Sequence, residues 1–112
     1  NIMPNTFLRK TSRNVGTSAA TVGSYTVGSS TQTTIIGLTC ANTTTSAITV
    51  DVQHNDGSND TFLVKAATVP AGASIVIVGG DQKVVLQTGD SIKVTSSAAS
   101  SVDVMMSILE IT

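Results

Sequence analysis

The sequence predicts an all-β domain, a single antiparallel β-sandwich or small jelly roll of eight or nine short strands. Three observations predict it. Of the 112 residues, 32 are Ser or Thr and most of the apolar ones are Val or Ile; β-branched side chains lose rotamer freedom in a helix but pack well on a pleated surface. Apolar residues alternate with polar ones at period two and nowhere recur at the i, i+3, i+4, i+7 positions of an amphipathic helix. Turn signals return about every ten residues, as they do in sandwiches and jelly rolls. The length suffices for one thin core. Residues 33–112 are expected to form that core, with 1–32 an amino-terminal arm and irregular edge segment of the same domain.

Each element has its own signal. Phe7 to Val15 reads as a strand carrying three of the six basic residues, Arg9, Lys10 and Arg13, and Ala20 to Val27 as an irregular edge strand. Thr33 to Ala41 is a strand whose inward face is expected to be Ile36, Leu38 and Cys40. In Ala47 to His54 the alternation is clean: Ile48, Val50 and Val52 point one way, Thr49, Asp51 and Gln53 the other. Asn55-Asp56-Gly57-Ser58-Asn59-Asp60 then supplies residues that tolerate left-handed backbone, which suits a hairpin loop. Phe62 to Val69 returns and Pro70-Ala71-Gly72 stops it, because proline lacks a ladder donor. Ile75 to Val78, Lys83 to Leu86, the strand marked by Ile92 and Val94, and Val102 to Ile111 complete the set, separated by Gly79-Gly80-Asp81, Thr88-Gly89-Asp90 and Ser96 to Ser101.

Composition excludes several functions. With a net charge of −1 and 12% charged residues, the chain lacks the cationic surplus of a protein that grips phosphates, so no specific nucleic-acid partner is expected. The apolar share and low charge argue against disorder. No apolar run approaches the ~18 residues of a membrane span, and no charged-then-apolar leader reads as a signal peptide. Phe7, Tyr25 and Phe62 are the whole aromatic set, too few for a base-stacking or sugar-binding platform.

Catalytic constellations are also missing. His54 is the lone histidine, with Asp56 and Asp60 the acids of the adjacent loop, and a serine nucleophile needs both a base and an orienting group. Six of the seven acids are aspartates at turns or on polar strand faces, where solvation accounts for them. Cys40 forbids an intrachain disulfide and a thiolate cluster, and reads as a buried structural thiol. Loop 55–60 lacks the regular ligand spacing of an EF-hand, so a hairpin turn is preferred to a weak calcium site. Asn42-Thr43-Thr44 and Asn59-Asp60-Thr61 match the glycosylation pattern by chance. The reading is therefore a non-enzyme, with no cofactor and no metal ligand.

One feature points outward. A strand with one solvated face should be polar at alternate positions, yet the last strand has Val102, Val104, Met106 and Ile108 on one face and Met105, Leu109 and Ile111 on the other. Ile75 to Val78 and Val84-Val85-Leu86 are likewise apolar on both faces. Fully exposed, these would make an apolar patch larger than soluble monomers tolerate. Burial against neighbouring copies or another protein is expected, with cover by the amino-terminal segment as the alternative. Candidate contact residues are Phe7, Leu8, Arg9, Met105, Leu109 and Ile111, and Asn1 to Ser12 is the candidate docking arm.

Val69-Pro70-Ala71-Gly72, Gly79-Gly80, the stretch Val84 to Val94 with its Leu86-Gln87-Thr88-Gly89-Asp90-Ser91-Ile92 turn, and the ending Ser101 to Ile111 follow one another in a succession that resembles small all-β structural proteins of tailed bacteriophage particles. Ile36-Gly37-Leu38, Ala41 to Thr44 and Ile48 to Val52 fit the same pattern, so the likeness spans roughly residues 33–112. The resemblance implies a virion component assembled in the bacterial host cytoplasm, foremost a capsid decoration or cement protein. Its implied partners are the major capsid protein or neighbouring copies in a homo-oligomer, with no membrane. A neck or tail protein, or a receptor- or glycan-binding module using loops 42–46 and 55–60, is the alternative.

Overall fold

The computed structural model describes residues 5–112, which form nine strands and one 3-10 turn. In chain order these are β1 (Asn5–Val15), β2 (Ala20–Thr21), the 3-10 turn Val22–Ser24, β3 (Gln32–Asn42), β4 (Ile48–Asn55), β5 (Asp60–Val69), β6 (Ser74–Val78), β7 (Val84–Leu86), β8 (Ser91–Ser96) and β9 (Val102–Ile111). One sheet has the order β1-β9-β3-β6, with β7 also paired to β3, and the other the order β2-β8-β4-β5. All of these pairings are antiparallel. β6 and β7 meet successive parts of β3, with Val76 opposite Thr39 and Val85 opposite Thr34, and act as one interrupted strand. Counted so, the chain changes sheet at every connection except the β4–β5 hairpin, as a jelly roll does.

The core lies between the sheets and follows the alternation. From the β9 sheet come Val102, Val104, Met106 and Ile108; facing them are Ile48, Val50 and Val52 of β4 and Ile92 and Val94 of β8, all at most 5% exposed. Each such side chain contributes roughly 1.5–3 kcal/mol by leaving water. Cys40 is fully buried among them.

Three expectations are corrected. On β3 it is Ile35, not Ile36, that enters the core, and Ile36 is half-buried. The register against β9 slips there, from Ile35↔Ile108 to Gly37↔Ser107, and the extra residue of a bulge reverses the parity of everything before it. Ala20 to Val27 is a strand only at Ala20–Thr21, because Gly23 (φ 60°) and Ser24 (φ 53°) turn the chain and let Val22, Tyr25 and Val27 reach the core instead. Lys83 lies just before β7 rather than in it.

Buried polar groups are paired. Asn42, 3% exposed, donates through Nδ2 to the carbonyls of Ser46 (2.8 Å) and Val69 (3.0 Å), while its Oδ1 accepts from the Thr44 N–H (2.9 Å). That side chain ties the β3–β4 loop to the end of β5 and is not presented to solvent, which rules it out as a glycan acceptor in this fold.

Candidate functional site

The outer face of the β1-β9-β3-β6/β7 sheet is built by the second parity of each strand. Cross-strand register aligns its residues in rows. One row runs Phe7, Leu109, Thr34, Val85; another runs Thr11, Met105, Thr39, Val76; between them lies Arg9, Ser107, Gly37. Among the described residues five large apolar side chains are exposed, and four belong to these two rows: Phe7 (74%), Val76 (65%), Val85 (61%) and Met105 (54%). Beside the second row, where β1 departs from β9 after Ser12, an apolar depression of about 360 Å³ is lined by Thr11, Arg13, Thr39, Ala41 and Met105 among others.

The other sheet is different. Its outer face presents Thr49, Asp51, Gln53 and Asn55 of β4 beside Lys93 and Thr95 of β8. Its one exposed large apolar residue, Phe62, has the Lys65 Nζ 5.2 Å from its ring centroid. Among the described residues one face of the sandwich therefore carries a single exposed large apolar side chain and the other carries four.

The candidate residues distribute accordingly. Phe7, Arg9, Met105, Leu109 and Ile111 are on β1 and β9 with the outward parity, Leu109 and Ile111 half-buried. Leu8 has the opposite parity: it pairs with Ile108 and packs against the core. Of the arm Asn1 to Ser12, residues 1–4 lie outside the described residues, and the rest is the first part of β1, hydrogen-bonded along β9. The described part of the arm, residues 5–12, joins the sheet edge and does not cover the apolar face. Val76 and Val85 were not among the candidate residues; the two-sided apolar pattern of β6 and β7 was their signal, but only the register places them in rows with Phe7 and Met105.

Several titratable groups pair internally. His54 Nε2 lies 2.8 Å from Asp90 Oδ2, not beside Asp56 or Asp60, and the same oxygen accepts the Gln87 N–H at 3.0 Å. Asp90 thus holds its own turn and the end of β4 together. Tyr25 Oη donates to Glu110 Oε2 and is 2.7 Å from Thr33 Oγ1, with Lys10 Nζ 5.0 Å from its ring centroid. Burial, reinforced by the Glu110 carboxylate, pushes the phenol up to about 12. Burial alone pushes the Cys40 thiol up to about 11, leaving it protonated and unreactive at neutral pH. In loop 55–60, Asp56 Oδ1 accepts the N–H groups of Asn59 and Ser58, which lower its carboxyl below the usual value. Its lone pairs hold the hairpin turn. Among the described residues no three His, Cys, Asp or Glu side chains gather as a metal site.

No protein-family model and no curated protein sequence matches the chain. Solved structures do match. A chain from Bacillus endospore appendages, a family of disulfide-linked pili, is 18% identical over 97% of this chain and 90% of that one, with a TM-score of 0.52. A chain of the virus-like particle of extra small virus from the giant freshwater prawn, Macrobrachium rosenbergii, is 20% identical over 96% and 78%, TM-score 0.43. A pentameric capsid protein from metagenomic phage sequences is 15% identical over 95% and 62%, TM-score 0.40. The first of these likenesses shows a shared fold along nearly the whole of both chains.

Proposed function

We propose that this chain is a non-enzymatic structural subunit of a virion, in particular a decoration or cement protein on a phage head, and that it joins its neighbours through the outer face of the β1-β9-β3-β6/β7 sheet. The observation that carries this reading is the asymmetry of the sandwich: four of the five exposed large apolar residues share that one face. A solitary domain loses solubility by such a surface, whereas a subunit uses it. Its neighbours in the particle are the shell protein or further copies of itself. Many modest contacts repeated over a symmetric shell reinforce one another through effective concentration. The Bacillus pili are disulfide-linked; Cys40 is fully buried here, so cohesion in this reading is non-covalent.

The test is co-sedimentation with undecorated phage shells, with tails sedimented in parallel. Saturable binding to shells, and protection of those shells against heat or chelator disruption, is the expected result. Binding to tails alone moves the subunit to the neck or tail. No binding to either overturns the virion reading.

A further inference from the structure

We infer that the apolar outer face is self-complementary and takes a second copy of this chain across a two-fold axis that runs along the Arg9, Ser107, Gly37 row; this rests on the reading of that face as an assembly surface. The rows on either side of that line match in character on β9, β3 and β6/β7 and differ on β1, where Phe7 stands against Thr11. Going outward from the line, two residues in one direction along each strand bring Phe7, Leu109 and, past the bulge, Thr34 with Val85. Two residues in the other direction bring Thr11, Met105 and Thr39 with Val76. A face-to-face two-fold about the middle row lays each row on the other row of the partner copy. Leu109 then meets Met105, Val85 meets Val76, Thr34 meets Thr39, and Phe7 meets Thr11.

Shape agrees with this pairing. The middle row carries Ser107 and Gly37, small enough to let two sheets approach to the ~10 Å of a face-to-face packing. The most exposed aromatic ring, Phe7, comes over the Thr11 end of the second row, where the depression of about 360 Å³ opens. Phe7 and Thr11 lie four residues apart on β1, about 13 Å, on either side of Arg9, so the ring reaches the Thr11 edge of the partner copy's hollow.

Size agrees as well. Four strands at about 4.8 Å, and at about 3.3 Å the eight residue steps from Asn5 to Arg13 on β1 and from Asp103 to Ile111 on β9, outline about 500 Å² per copy, or about 1,000 Å² in all. That is the lower bound of a stable interface, the size of a reversible dimer that further contacts in an assembly would reinforce. The charged side chains of outward parity inside that outline are Arg13 and Asp103, at one end of it, and Arg9, which meets its own copy at the β1 rim. Added salt screens that repulsion and leaves the apolar contact, so dimerisation strengthens with salt.

Sedimentation of the purified full chain from micromolar to near-millimolar concentration tests this. The expected result is a shift from 11.4 kDa to twice that mass, promoted by salt. Met105→Glu alone and Leu109→Lys alone each stay monomeric, while an equimolar mixture of the two regains the dimer, because position 105 of one copy faces 109 of the other. Val76→Glu and Val85→Lys, at more exposed positions, make the same test if Leu109→Lys fails to fold. Phe62→Glu on the other sheet leaves the dimer unchanged. A wild type that stays monomeric, a dimer that survives Met105→Glu, or both mixtures failing to recover overturns the inference. A monomer that still binds shells overturns the two-fold alone; a dimer that binds no particle overturns the virion reading alone.

Discussion

The Tyr25 hydroxyl donates to Glu110 Oε2 at 2.5 Å and so fastens the irregular segment after the 3-10 turn to the inner side of β9. Thr33 Oγ1 completes the group at 2.7 Å. Tyr25→Phe keeps the ring in the core but leaves a partly buried carboxylate without its donor, at a cost of about 1–3 kcal/mol. Urea unfolding monitored by circular dichroism should show a lower midpoint with an unchanged slope. An unchanged midpoint would mean that water replaces the phenol without loss.

Alkaline pH should destabilise the fold in two overlapping steps. Cys40 is raised from 9.0 to about 11 and Tyr25 from 10.0 to about 12, each chiefly by burial. In both, the folded chain keeps a proton that the unfolded chain gives up first. Their contributions are therefore complete below pH 9, decline as pH rises through 11 and 12, and are lost above that. Two pH units at Cys40 correspond to about 3 kcal/mol. Cys40→Ala should lower stability at pH 7 through lost packing, yet flatten the decline between pH 9 and 11. Urea midpoints at pH 7, 9, 10 and 11 check both statements.

Adjacent residues on β4 should respond oppositely. Val50 is 1% exposed, and Val50→Asp places an unpaired carboxylate in the core, a cost of several kcal/mol against a total stability of similar size. The variant should not fold. Asp51 has the outward parity, and its Oδ1 accepts the N–H of Ala66 at 2.7 Å, where β5 bulges with Ala66 at φ 54°. Asp51→Asn retains that oxygen and should change the melting temperature little, while Asp51→Ala should cost about 1 kcal/mol. Thermal melts of the three variants check the strand register.

What was legible in the sequence was whatever period two controls. Ile48, Val50 and Val52 of β4 and the four core residues of β9 alternate without interruption, so their parity could be read directly. Parity fails across a bulge, and Ile36 shows it: Ile35 and Ile36 are chemically alike, so only the partner strand decides which one faces inward. The His54–Asp90 contact joins residues 36 apart in sequence and exists because β4 lies beside β8, a consequence of jelly-roll order rather than of local pattern. The candidate surface divides in the same way. Doubly apolar strands disclose that an outer face is greasy, but the alignment of Phe7 with Leu109 and Val85 is a property of three separate registers.

Gly23 offers the sharpest test of how β1 is held against the rest of the sandwich. It has φ +60°, its N–H donates to Ser12 Oγ at 2.8 Å, and a Cβ placed on it would come within 2.7 Å of the Lys10 Cβ and 3.2 Å of the Lys10 Cα. Gly80 has nearly the same backbone, φ +62°, with nothing within 4 Å of an added Cβ. The left-handed conformation alone costs an L side chain about 1–2 kcal/mol, and Gly80→Ala should show only that. Gly23→Ala should lose more, because the 3-10 turn and β1 must separate to admit the methyl group. The difference between the two melting temperatures isolates the steric part. Amide exchange in Gly23→Ala should accelerate along β1 near Lys10 while the β4–β8 pairing stays protected. Equal losses in the two variants would mean that β1 yields freely and is not clamped by the turn.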